Sequence, residues 1–176
     1  MLEDEDTVYW TISEDMLKYA KSLEDKLQMN RTKESKVDTL TGILGELVFA
    51  DFWYGDWKRE NSYDEFVSNF GKPDFEGRFE VKSSCHKFDW KLNLLIRQDY
   101  NEKRIPPFYV QILFDTDTKE INTKTGVIIV GYTYGEKAHN GELKEMAGIT
   151  SFKAYHTPFE ELNPIYELKE ILKDES

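Results

Sequence analysis

Two runs of β-branched and aromatic residues constrain the fold of this chain more than any other feature. Residues 108–114 read Phe-Tyr-Val-Gln-Ile-Leu-Phe, and residues 126–132 read Gly-Val-Ile-Ile-Val-Gly-Tyr. Both runs have the length and composition of strands, and the turn-rich segment 115–125 separates them. We therefore predict that the two runs pair as a deeply buried β-hairpin.

Two helices are predicted before these strands. The first runs from Ser13 to about Met29, because Ser-Glu-Asp suits a helix start and apolar residues follow at helical spacing. The polar stretch 30–38 is interpreted as a loop. The second helix covers roughly 39–53, where Gly42 and Gly45 would allow its backbone to approach a neighbour closely.

Residues 73–84 are interpreted as a second β-hairpin. Alternation along its later strand places Phe79 and Val81 on one face, and Glu80 and Lys82 on the other. The turn decides where Asp74 points. A three-residue loop puts Asp74 on the face of Glu80, whereas a two-residue loop puts it on the opposite face.

The remaining pattern favours an α/β fold. Residues 92–104 are ambiguous between strand and helix, and residues 159–173 resemble a short closing helix interrupted by Pro164. The length of 176 residues fits a single domain, 1–176, in which residues 1–12 form a flexible acidic N-terminus. The order of elements predicts a central mixed β-sheet flanked by helices.

Composition limits the functional classes. No run of about 18 apolar residues occurs, and the N-terminus is acidic, so we expect no membrane association and an intracellular, cytoplasmic protein. A single cysteine, Cys85, excludes an internal disulfide and a Cys-rich zinc site. The net charge of −11 argues against a nucleic-acid enzyme, but residues 31–110 hold 14 acidic and 13 basic side chains and are nearly balanced.

Three charged residues carry the chemical signal, although each has an ordinary interpretation. Glu46 interrupts the apolar run 43–50, where a buried carboxylate would need a cation or hydrogen-bond donors. It also fits a surface glutamate beside a narrow apolar stripe. Glu80 and Lys82 taken alone fit an exposed ion pair along one strand face.

Taken together, these residues resemble the signature of the PD-(D/E)xK nuclease superfamily. The signature consists of Gly42-Ile-Leu-Gly-Glu46 on a helix, then Pro73-Asp74, then Glu80-Val-Lys82. The helix motif is most similar to the archaeal Holliday junction resolvase-like and phage or archaeal-virus branches. The flanking segments up to residue 165 resemble the same small proteins. The resemblance implies a restriction-endonuclease-like core, with its central mixed sheet flanked by helices.

The resemblance also implies roles for the site residues. Asp74 and Glu80 would hold Mg²⁺, with Mn²⁺ as a substitute and the Val81 carbonyl as a third ligand. Glu46 would bind a second ion or orient a metal-bound water. Lys82 would position or deprotonate the attacking water, or stabilise charge on the phosphate. Such hydrolysis suits a hard divalent ion, which prefers oxygen ligands.

Several further residues are candidates for contacts with DNA. Hydroxyls, an amide and basic side chains can all hydrogen-bond to phosphates, although most such residues are ordinary surface or capping groups. The candidates are Ser83, Ser84, Gln111, Lys33, Lys36 and Lys87. The three histidines show no metal-ligand spacing. Relatives that act as dimers make a homodimer an expectation from resemblance alone.

Three functions compete at this point. The first is a Mg²⁺-dependent deoxyribonuclease, of the kind used in viral replication, recombination or DNA degradation. The second is a catalytically inactive superfamily member that binds DNA or serves in assembly. The third is an unrelated acidic binding protein, such as a DNA mimic, which explains the net charge but leaves the motif to coincidence.

Overall fold

A computed structural model of the protein describes most of the chain. The described residues are 2–27, 33–58, 78–87, 91–97, 105–116, 120–146 and 149–173. Asp74 and the first strand of the hairpin predicted at 73–84 lie outside these ranges, so the predicted turn geometry stays a prediction.

Two long helices precede the sheet residues. Helix α1 spans Glu14–Leu27, and the Ser13 hydroxyl accepts a hydrogen bond from the Met16 amide at 3.1 Å, which caps its first turn as predicted. Helix α2 spans Lys33–Tyr54. The loop predicted at 30–38 was therefore wrong from residue 33 onward. Lysine and glutamate favour helix, and the hydrophobic pattern alone could not mark a polar first turn.

Seven strands are found in the described residues. They are β1 (Val8–Trp10), β2 (Phe79–Cys85), β3 (Leu94–Arg97), β4 (Phe108–Phe114), β5 (Val127–Tyr134), β6 (Glu142–Met146) and β7 (Ile149–Thr157). Two short α-helices follow, α3 (Gly135–His139) and α4 (Ile165–Lys173), and a 3-10 turn spans Asp4–Asp6. Another 3-10 turn at Phe159–Glu161 precedes α4, which begins directly after Pro164.

The central sheet is mixed, as predicted. Its order is β1-β5-β4-β2, with β4 antiparallel to β5 and parallel to β2. The predicted hairpin of β4 and β5 is confirmed. Strand β2 is an edge strand of this sheet within the described residues.

A second sheet, with order β3-β7-β6, is antiparallel throughout. The sequence pattern predicts neither β6 nor β7 as a strand, and it does not decide between strand and helix for the segment that contains β3. Segment 142–157 mixes charged and apolar residues without a long apolar run, so its hydrophobic signal is weak.

The central sheet separates two hydrophobic cores. On one side, apolar residues of α1, α2 and α4 pack together with Phe79, Phe108, Val110 and Ile112. On the other side, residues of β3 and α3 pack against Tyr109 and other residues of β4 and β5. Because β4 is covered on both faces, all seven of its residues are buried. The coarse prediction of an α/β protein with helices against a mixed sheet is confirmed.

The N-terminal segment, for which flexibility stays a prediction, contacts the rest of the fold at two places. Leu2 is buried in the second core, and β1 pairs antiparallel with β5. The acidic residues 3–6 separate Leu2 from β1, and they are the reason why composition alone predicts a flexible segment. Among the described residues, no helix combines the length and apolar character needed to cross a bilayer.

Candidate functional site

Glu80 and Lys82 form an ion pair on one face of β2. The Lys82 ammonium lies 2.7 Å from a Glu80 carboxylate oxygen, and the two side chains are 28% and 26% exposed. Their intervening residue, Val81, packs toward the helix-side core, as does Phe79. The alternation predicted from the sequence is therefore confirmed, and the charged pair faces away from α2.

Helix α2 contacts the opposite face of β2 at Gly45. A Cβ atom placed on Gly45 would overlap the Ser83 side chain and contact Val81. One turn before Gly45, the Thr41 hydroxyl and the Cys85 sulfur are 3.6 Å apart. The close approach predicted for Gly45 is confirmed. A Cβ on Gly42 would meet no heavy atom within 4 Å among the described residues, so that glycine has no such role.

Glu46 follows Gly45 on α2 and is half-buried. The helix lies on the Val81 and Ser83 face of β2, whereas Glu80 and Lys82 occupy the other face. Because β2 is an edge strand within the described residues, Glu46 would meet Glu80 only around this edge. The convergence of Glu46 and Asp74 with the Glu80–Lys82 pair stays a prediction.

Two rows of residues cross the central sheet on the face of the ion pair. Strand register places Glu80 beside Tyr109, and Tyr109 beside Thr133. The next row places Lys82 beside Gln111. These polar side chains adjoin an otherwise apolar core, and burial of polar groups is costly unless they find partners.

Tyr109 on β4 and His139 on α3 form a hydrogen bond within this core. The Tyr109 hydroxyl and His139 Nε2 are 2.8 Å apart, although 30 residues separate them in the chain. Burial raises the pKa of Tyr109 well above its ordinary value, and the charge of Glu80 raises it further. Burial lowers the pKa of His139, while Glu80 acts in the opposite direction and Lys82 in the same one. The pair is therefore neutral near pH 7 and lies within electrostatic reach of Glu80.

A cavity of about 620 Å³ opens beside the ion pair. The end of β2, the segment before β3, and strands β3, β4 and β7 line it. The lining residues include Lys82, Ser84, Lys91, Leu92, Leu94, Gln111 and His156. Gln111 is only 4% exposed. Its Nε2 donates a long hydrogen bond of 3.5 Å to the Asn93 carbonyl, and its Oε1 has no hydrogen-bond partner among the described residues.

The other predicted contact residues differ from one another in their surroundings. Ser83 faces α2, where its buried hydroxyl has no hydrogen-bond partner in the described part of the chain, so it is turned away from Glu80 and Lys82. Ser84 and Lys87 are exposed near the cavity end of β2. Lys33 and Lys36 lie in the first turns of α2, rather than in a loop.

Metal binding would need oxygen ligands beyond Glu80. Across the ranges that the structure describes, no group of three or more His, Cys, Asp or Glu residues is arranged to hold an ion. The Glu80 carboxylate fits the oxygen chemistry of Mg²⁺, and its side chain retains partial access to solvent. Asp74 and Glu46 are the residues that would complete such a set.

The contact between Tyr109 and His139 beside Glu80 was not predicted from the sequence. Tyr109 had a usable signal, because it alternates with Gln111 on a strand next to the Glu80 strand. His139 had no such signal, because its contact with Tyr109 depends on how α3 packs.

Comparisons of the chain with protein-family models, curated proteins and solved structures found no match.

Proposed function

We propose that this protein is a metal-dependent nuclease that hydrolyses phosphodiester bonds of DNA, with Glu80 and Lys82 in its active site. One observation carries the proposal: the two side chains pair at 2.7 Å on strand β2, beside a cavity large enough for part of a nucleotide. Helix α2, which carries Glu46, packs tightly on the same strand through Gly45.

The residues fit the needs of phosphodiester hydrolysis. A bound Mg²⁺ ion would supply activated water and stabilise charge on the phosphate. Glu80 and Asp74 would hold this ion, with Glu46 assisting. Lys82 offers a cation next to the Glu80 carboxylate, where it would orient the attacking water or stabilise negative charge on the phosphate oxygens.

A second Glu-x-Lys ion pair in the chain serves as a control for the proposed active-site pair. Glu142-Leu-Lys144 repeats the Glu-x-Lys pattern on β6, and its ion pair measures 3.3 Å. Its side chains are 71% and 50% exposed, which is the ordinary solvated arrangement. The Glu80–Lys82 pair is much less exposed, so its electrostatic effect on a ligand would be less screened by water.

Cleavage assays with matched variants test the proposal. Purified protein is incubated with end-labelled single-stranded and duplex DNA, in Mg²⁺, Mn²⁺ or EDTA. We expect wild type to cleave only with a divalent ion, and Glu80→Gln, Lys82→Met and Asp74→Asn to lose about a hundredfold or more in rate. Glu142→Gln and Lys144→Met should retain wild-type rates. Circular dichroism verifies that each variant is folded.

Two outcomes would contradict the proposal. If wild type cleaves neither DNA nor RNA with either ion, a DNA-binding or assembly role replaces catalysis. If the variants at Glu142 and Lys144 lose as much activity as those at Glu80 and Lys82, the Glu80–Lys82 pair is not the active site.

A further inference from the structure

Gln111 is a polar residue in the lining of the cavity. It is almost fully buried, yet its Oε1 has no hydrogen-bond partner within the described ranges. The reverse amide orientation would place Oε1 opposite the Asn93 carbonyl, so that two acceptors would face each other. The amide therefore presents an unused acceptor beside the cavity. Leaving a buried polar group without a partner costs free energy, and a hydrogen-bond donor on a ligand would remove that cost.

The chemistry of this acceptor selects the class of ligand. A phosphate group offers only acceptor oxygens, so it would be repelled by Gln111 Oε1. The edge of a nucleobase presents both donors and acceptors, and a glutamine amide pairs with such an edge through both of its atoms. Leu92 and Leu94 add apolar surface on which a planar ring could pack.

The position of the cavity connects it to the proposed chemistry. Lys82 and Gln111 are partners on adjacent strands, and such strands lie only about 4.8 Å apart. A single nucleotide could therefore place its phosphate near Lys82 and its base near Gln111. The volume of about 620 Å³ is within the usual range of small-molecule sites, which is roughly 300–1,000 Å³.

We infer that this cavity receives an unpaired nucleobase next to the scissile phosphate, so that the substrate is DNA with an unpaired or extruded nucleotide. The inference rests on the proposed nuclease function. A base inside a duplex has its pairing edge occupied, so it must leave the stack before an amide can pair with that edge. Lys91, which is exposed at the cavity, would contact backbone phosphate.

Binding in EDTA tests this inference without requiring catalysis. The probes are two labelled duplexes of identical sequence, one with a single bulged adenine and the other with an abasic residue at the bulge. Fluorescence anisotropy gives the ratio of the two affinities. We expect wild type to prefer the adenine bulge by about tenfold to a hundredfold.

Substitutions at Gln111 should remove this preference. Gln111→Met keeps the side-chain length without the amide, and Gln111→Leu provides a second apolar variant. Each should bring the affinity ratio to within about threefold of unity. Thr133→Val is the matched control: Thr133 is also buried and its hydroxyl has no partner in the described part of the chain, but it does not line the cavity. This variant should keep the wild-type ratio.

The stability of Gln111→Met separates a binding role from a structural one. Because the Gln111 acceptor is unused, its apolar replacement should unfold at the same urea concentration as wild type or at a higher one. A structural glutamine would instead give a lower midpoint. Such a lower midpoint, together with an unchanged affinity ratio, would overturn the inference.

The possible results also separate the two proposals. If wild type binds both bulges equally, or if folded variants at Gln111 keep the preference for adenine, the base-binding inference is wrong, whatever the cleavage assay shows. If wild type prefers adenine but cleaves no nucleic acid with Mg²⁺ or Mn²⁺, the nuclease proposal is wrong and base binding stands.

Discussion

Gly45 of α2 and Ser83 of β2 approach so closely that a methyl group on the glycine would overlap the serine hydroxyl. This contact sets the distance between the helix that carries Glu46 and the strand that carries Glu80 and Lys82. A side chain at residue 45 would force the two elements apart. The second glycine of the Gly-x-x-Gly-Glu segment is thus required by packing, which is independent of any functional interpretation.

Alanine substitutions at the two glycines should have opposite effects. Gly45→Ala should destabilise the protein by about 1–3 kcal/mol, because its Cβ has no space beside Ser83. Gly42→Ala should be neutral or stabilising by up to about 1 kcal/mol, because alanine favours helix and no described atom lies within 4 Å of its Cβ. Urea denaturation measures both values.

A second substitution identifies the cause. Ser83→Gly removes the atoms that the new methyl group would meet, so the double variant Gly45→Ala/Ser83→Gly should lose less stability than the two single changes predict. Simple additivity would show that the contact with Ser83 does not limit the approach of α2.

Structural features that depend on residues close together in the chain could be predicted from the sequence. Alternation in residues 79–82 placed Glu80 and Lys82 on one face correctly, because this depends only on strand geometry. The buried hairpin of β4 and β5 was also predictable, since both strands are apolar on each face. In both cases the signal is local.

Interactions between distant segments could not be predicted. The Tyr109–His139 contact requires α3 to pack against β4, and no local pattern encodes that arrangement. The Asn93 carbonyl accepts a hydrogen bond from Gln111 Nε2, and this contact between distant residues fixes the orientation that leaves Oε1 without a partner in the described part of the chain. The sequence therefore indicated the charged pair of the candidate site, whereas the cavity beside it emerged only from the packing of the two sheets.

The lowered pKa of His139 predicts how stability depends on pH. Burial lowers this pKa below the ordinary value of about 6.5, so the unfolded chain binds the proton more readily than the folded one. The stabilising contribution is complete above about pH 6.5 and decreases as the pH falls below it. We expect the urea midpoint to decrease between pH 7 and pH 5, and His139→Gln to reduce that decrease.

Glu80 and Lys82 also act on His139, with opposite signs, so Lys82→Met should raise the pKa of His139 in an NMR titration. An identical pH dependence in wild type and His139→Gln would contradict the assignment.

Lys169 on α4 contacts the last turn of α2. Its ammonium donates a hydrogen bond of 3.1 Å to the Phe52 carbonyl and lies 4.2 Å from the centre of the Phe52 ring. Carbonyls in the last turn of a helix lack partners within the helix, and a cation there also interacts favourably with the helix dipole. Lys169→Met should cost about 0.5–1.5 kcal/mol in urea denaturation. Lys153→Met, at an exposed position on β7, should cost less.

Metal binding at Glu80 should be detectable as thermal stabilisation, without any cleavage. An ion that binds only the folded protein at about one hundred times its Kd adds about 2.7 kcal/mol, which corresponds to roughly 5–10 °C in Tm for a chain of this size. Wild type should show this rise with Mn²⁺, whereas Glu80→Gln and Asp74→Asn should not. Glu142→Gln should respond like wild type, because it removes an exposed carboxylate from the same Glu-x-Lys arrangement. An equal rise in Glu80→Gln would mean that Mn²⁺ binds elsewhere and that Glu80 is not a ligand.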